Sequence, residues 1–178
     1  EAVGVTLKHA CSWITVKVIG NATTGNNYKL QNLTINDLFH EGKAVCGATK
    51  ATWSEYYQKY SEILYNNDAG EVFPEEAPAQ VFEDVANNFV VLPQTPTTLD
   101  VTYSYYAQAG ADLITETVKS LPLSLGKDTA GNDIIWESGK HYIYTITITA
   151  TEILVAPEVT RWEDQTVDAI PALPQTNN

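Results

Sequence analysis

The chain has 178 residues, with 10 Lys and Arg against 22 Asp and Glu and a net charge of −12. That balance argues against nucleic acid or an anionic membrane as a partner, and no apolar run approaches the roughly 20 residues that a spanning helix needs. A hydrophobic content of 44% with ten Tyr and four Trp argues against disorder and supplies one core without staples.

Thr, Val and Ile are abundant, which favours strands. Met is absent, so the chain is expected to be a processed or truncated piece of a longer precursor. The lack of a readable signal peptide says nothing about export.

The dominant period is two. Val5, Leu7, His9, Cys11 and Trp13 share one parity, and Ile14, Val16 and Val18 take the other. This predicts one long strand with a bulge near Trp13. Residues 20–27 read as a turn or loop. Residues 28–35 form a second strand, and residues 43–48 are a candidate third. Residues 52–66 break the pattern. Trp53, Tyr56, Tyr57, Tyr60 and Leu64 recur at the spacing of one α-helical face. Thr52 with Glu55 fits a capping box, and Gly70 lies just past a plausible end. The spacing predicts a short helix, with a tyrosine-rich surface loop as the alternative.

Residues 71–78 are acidic, carry two prolines and read as a loop. Residues 89–92 start a strand that ends at Pro93. Residues 98–106 alternate, with Leu99, Val101, Tyr103 and Tyr105 on one face. Residues 112–125 are strand-like but interrupted by Pro122, and residues 127–133 make a turn. The clearest strand is 140–151, with Tyr142, Tyr144, Ile146 and Ile148 facing one way. Residues 153–155 and 159–162 follow after short breaks. Seven to nine strands, at most one or two helices and regular turn signals predict an all-β, antiparallel β-sandwich. The domain is expected over residues 1–163, with an extended tail over 164–178.

Chemistry is sparse. Cys11 and Cys46 form either a disulfide, which would add about 3–4 kcal/mol, or a pair of buried thiols. His9 lies on the apolar parity of its strand and reads as a packing residue. His40 and His141 are not at metal-ligand spacing. No serine-hydrolase elbow, phosphate loop or dinucleotide fingerprint occurs. Glu75–Glu76 and Glu163–Asp164 read as solvated loop charge. Two loops, 66–71 and 128–133, carry oxygen ligands, but neither has EF-hand spacing, and turn chemistry accounts for both. Trp53, Tyr56, Tyr57 and Tyr60 are the best candidate for an exposed aromatic contact, against the reading of a core stripe.

The run from Trp136 through Gly139, Lys140, Tyr142, Tyr144 and Thr145 resembles the W-x-x-G-K-x-Y-x-Y-T signature of fimbrillin-like proteins. These are the pilus subunits, anchors and tip proteins of Bacteroidales. Val159-Thr160-Arg161-Trp162 is similar to the family's closing strand. Leu92-Pro93-Gln94 is similar to its "PQ" segment, and Leu7-Lys8-His9-Ala10 resembles the motif opening its second domain. The matches span residues 7–162.

The resemblance implies a transthyretin-like sandwich and an exported surface subunit, made as a lipoprotein precursor at the outer membrane. It also implies that this chain is the C-terminal half of a two-domain protein. No catalytic residue, cofactor or metal transfers from it. The expected function is a structural or adhesive subunit (stalk, anchor or tip) of a fimbria-like assembly, joined by β-strand complementation. The expected partners are other pilus subunits. In the tail, Val167, Ala169, Ile170 and Leu173 are candidate donor residues, although Pro171 and Pro174 interrupt ladder donation. The alternative is a carbohydrate- or host-protein-binding module. An enzyme is not expected.

Overall fold

The computed structural model describes residues 5–20, 28–47, 50–72, 79–80, 89–106, 112–148, 153–162 and 165–167. They form eleven strands: β1 (Val5–Leu7), β2 (Ser12–Gly20), β3 (Lys29–Cys46), β4 (Ala51–Val72), β5 (Ala79–Gln80), β6 (Phe89–Val91), β7 (Thr98–Tyr106), β8 (Leu113–Pro122), β9 (Lys140–Ile148), β10 (Ile153–Arg161) and β11 (Gln165–Val167). The count exceeds seven to nine because β1, β5, β6 and β11 are only two or three residues long, too short to show alternation.

The strands make two layers. One sheet runs β10-β9-β2, with β5 and β6 both paired to the far edge of β2. The other runs β4-β3-β7-β8. Pairing is antiparallel except between the central strands β2 and β9, which are parallel from Trp13↔His141 to Gly20↔Ile148. A small separate sheet joins β1 to β11. Both proline-bearing edge strands, β8 with Pro122 and β10 with Pro157, lie at outer positions where a missing donor costs least.

Alternation explains the core. Ile14, Val16 and Val18 of β2 and Tyr142, Tyr144, Ile146 and Ile148 of β9 are buried from one sheet. They meet Leu30, Leu33, Ile35, Leu99 and Val101 from the other in one cluster. A buried polar chain locks the layers. Trp136, fully buried, donates its Nε1–H to the Tyr144 hydroxyl at 2.8 Å. Tyr144 donates in turn to the Leu123 carbonyl at 2.8 Å. Burial pushes the Tyr144 hydroxyl well up, so it stays a donor. Gln94 works as a bracket. Its side-chain oxygen accepts the Phe39 N–H at 2.9 Å, and its amide donates to the Phe39 and Leu92 carbonyls, both at 3.2 Å.

Several expectations are corrected. No helix forms over residues 52–66; the segment is strand β4. Glu55 and Gln58 have φ of 51° and 58°, and the β3–β4 pairing shifts register four times. Between Tyr57 and Ser54 the shift adds one residue to β4 and flips its parity, so same-face side chains recur there at three rather than two. Glu55, taken for a capping residue, ion-pairs with Lys43 across the strands. Gly70 sits inside β4 rather than past a helix end.

The predicted N-terminal strand is two strands with different partners, broken at residues 8–11 rather than bulged at Trp13. Residues 28–35 and 43–48 belong largely to one strand, β3, and β10 runs unbroken through Pro157.

Candidate functional site

β7 pairs with β3 only over Lys29↔Ser104 to Ile35↔Leu99. Beyond that, among the described residues, β3 and β4 pair with each other alone and continue as a two-stranded arm to Cys46↔Ala51. The arm is fastened to the body by polar ends of aromatic rings. Trp53 donates its Nε1–H to the Ala10 carbonyl at 2.7 Å, and the Tyr56 hydroxyl donates to the Pro93 carbonyl at 2.6 Å. Burial pushes the Tyr56 hydroxyl up. Phe39 packs on Tyr56, with ring centroids 5.7 Å apart, and Lys59 Nζ lies 5.5 Å over the Phe39 ring.

Tyr57 and Tyr60 are instead 48% and 50% exposed, and Tyr60 stacks on His40 at 3.5 Å. The four aromatics therefore divide. Trp53 and Tyr56 bind the arm to the body, while Tyr57 and Tyr60 face solvent.

Between arm and body lies a cleft of about 430 Å³, lined by Lys50, Trp53, Tyr56, Pro93, Ile135 and Glu137 among others. A second cleft, of about 250 Å³, separates β6 from the arm's base and is lined largely by Leu38, Phe39, Phe89, Val91 and Leu92. A third, of about 330 Å³, adjoins the first through Lys50 and Ser138 and also takes in Lys8, Lys140 and Arg161. No local motif announces these basic residues. They come from the β1–β2 loop, the arm's tip, the start of β9 and the end of β10, and only the fold gathers them.

Four rings cover the outer face of β2 and β9 beside this end. Trp13 stacks on its parallel neighbour His141 at 3.7 Å, and His9 stacks on Trp162 at 3.6 Å. The Thr15 hydroxyl is 2.8 Å from His141 Nε2. Burial first, then the Lys17 charge, holds His141 below its ordinary pKa, with Glu158 opposing. His9 packs as expected, although from a loop rather than a strand.

The tail does not leave the fold at once. Residues 165–167 pair with β1, Val167 opposite Val5. Ala169, Ile170 and Leu173 lie outside the described residues. Cys11 is half-buried, Cys46 is exposed at the arm's tip, and both are free thiols, so the disulfide considered for them is not formed here.

Neither oxygen-rich segment makes a cation loop. The first lies wholly within β4. In the second, Asp128 accepts the Asn132 backbone N–H at 2.9 Å, the Asn132 side-chain amide at 3.2 Å and the Ala130 N–H at 2.8 Å, which hold its carboxyl below the usual range. Among the described residues no cluster of three metal-ligating groups occurs, and no helix is long and apolar enough to cross a membrane.

Residues 1–162 match the model of the fimbrillin-like family. The fold is similar to a fimbrial protein from Bacteroides vulgatus, with a TM-score of 0.53 at 16% identity over 88% of this chain and 55% of that one. A cell adhesion protein from Bacteroides uniformis aligns with a TM-score of 0.46 at 14% identity, over 88% of this chain and 52% of that one. This chain thus spans about half the length of the solved structures that it resembles. No curated protein matches it.

Proposed function

This chain belongs to the fimbrillin-like family, and on that premise we propose that it is a structural or adhesive subunit of a fimbria-like, surface-exposed assembly. It contributes strands and edges rather than catalysis. The observation that carries the reading is the family match over residues 1–162, on an all-β sandwich whose sheets end in open edges.

Subunits join by β-strand complementation. Support comes from the edge of β2, where the described residues pair it at Ser12–Ile14 with β6 and at Lys17–Val18 with β5. A strand from a neighbour would complete such an edge through main-chain hydrogen bonds, with alternate side chains filling pockets. The cleft beside β6, lined by Leu38, Phe39, Phe89 and Val91 together with His40 and Glu62, offers such pockets. Its partners are other fimbrial subunits. The stretch beyond Val167, with Ala169, Ile170 and Leu173, is the donor, since residues 165–167 are already paired with β1.

The test is a deletion of residues 168–178 in the intact surface protein, followed by an unboiled denaturing gel. Loss of a multimer ladder supports the tail as donor. A ladder that survives the deletion places the donor elsewhere.

An adhesive role, with a host glycan or protein as ligand, is a second reading. It is favoured by the exposed Tyr57 and Tyr60 and by the aromatic cleft under the arm.

A further inference from the structure

Four of the ten Lys and Arg in this acidic chain, Lys8, Lys50, Lys140 and Arg161, line one cavity of about 330 Å³. No Asp or Glu is among its described lining residues. Lys8 and Arg161 are already engaged within the chain, so Lys50 and Lys140 are the ammonium groups on which a ligand would draw. With a net charge of −12, the molecule as a whole repels anions. A local basic cavity overrides that field only within a screening length of about 8–10 Å. It therefore selects a ligand that brings its negative charge right into the cavity.

The basic cavity adjoins the aromatic cleft under the arm, the two sharing Lys50 and Ser138. There the polar ends of Trp53 and Tyr56 are already bonded to Ala10 and Pro93. Their rings are thus fixed in place by bonds that a ligand need not supply.

We infer that this paired cleft binds an acidic saccharide, with its carboxylate or sulfate in the basic cavity and the neighbouring sugar ring against Trp53 and Tyr56. The inference rests on the adhesive reading and names its ligand class; it is independent of subunit association. The ammonium donors of Lys50 and Lys140 match the anionic group. The apolar face of a pyranose suits an aromatic wall, and both cavities fall near the size range of small-ligand pockets, roughly 300–1,000 Å³. An acidic peptide is the poorer fit. It would bind as a strand along a sheet edge, whereas this cavity is built from loops and strand ends.

The experiment is calorimetry on the whole chain, with amide chemical shifts to map the site. The probes are a chondroitin sulfate disaccharide, lactose as the neutral disaccharide, inorganic sulfate and a hexaglutamate peptide. The expected result is saturable binding of the chondroitin disaccharide, shifting residues 8–9, 50–53, 138–140 and 161. Each other probe should bind at least tenfold more weakly. Lys50→Gln with Lys140→Gln should weaken binding at least tenfold at an unchanged melting temperature. If that double variant does not fold, Lys50→Gln alone, at an exposed position, should still weaken it about threefold.

Equal binding of lactose would overturn the acidic specificity and leave the adhesive reading standing. Equal binding of sulfate or hexaglutamate would overturn the saccharide. Wild-type affinity in the variants would overturn the site. No binding of any saccharide would remove both this inference and the glycan form of the adhesive reading.

Discussion

At the residue scale, the molecule depends on a few buried polar groups whose partners are fixed. Trp136 and Tyr144 are fully buried, and the Tyr144 hydroxyl joins the Trp136 indole to the Leu123 carbonyl. Removing that hydroxyl orphans a buried donor and a buried acceptor. Tyr144→Phe should therefore cost about 1–3 kcal/mol, read as a lower denaturant midpoint at an unchanged slope. A midpoint within error of wild type would mean that water takes the place of the hydroxyl.

His141 gives a pH signature. Its folded pKa lies below its ordinary value of about 6.5, so the unfolded chain takes up the proton first as pH falls. The wild type should lose stability from about pH 7 downward, and His141→Gln should lose less over the same window. Parallel pH profiles for the two proteins would contradict this. Only part of this scale is legible in the sequence. The burial of Tyr142 and Tyr144 follows from alternation, but the bracket made by Gln94 does not. Its partner Phe39 is far away in the chain and is brought beside it only by the fold.

At the scale of elements, legibility depends on regularity. β7 and β9 alternate cleanly because each lies inside a sheet with one face on the core, and their alternation is plain in the sequence. β4 misleads because its bulges convert a period of two into spacings of three and four, and those mimic a helix. β11 is hidden because three residues carry no period at all.

The left-handed backbone positions of β4 make opposite predictions for two substitutions. Gln58, at φ 58°, is strained as an L-residue, so Gln58→Gly should leave stability unchanged or raise it by about 1 kcal/mol. In a helix the same change would cost about 1 kcal/mol, so thermal melting of this one variant separates the two structures. Gly70 is the converse. It has φ 69°, and a β-carbon there would lie 2.8 Å from the Lys29 Cβ. Gly70→Ala should cost about 1–2 kcal/mol or more. A neutral result would show that the β3–β4 register relaxes freely at that end.

At the scale of the whole molecule, charge and edges set how copies meet. With a net charge of −12, copies repel, and screening weakens that repulsion. Association measured by sedimentation should rise between about 20 mM and about 300 mM salt, where the screening length falls from roughly 20 Å to roughly 6 Å. A flat response would place the association in strand pairing alone. The fold class and the family resemblance are legible in the sequence, carried by the run from Trp136 to Thr145 and by the strand periodicity around it. The paired cleft is not, because Lys8, Lys50, Lys140 and Arg161 share no local pattern and meet only where loops and strand ends converge.

The central claim is that the protein is built into a polymer on the cell surface. The most direct test is to shear the surface fraction from cells that make it and run that fraction unboiled on a denaturing gel. A ladder of bands spaced by one subunit, collapsing to one band on boiling, is the predicted result. A single monomer band before boiling, or absence of the protein from the sheared fraction, would contradict it.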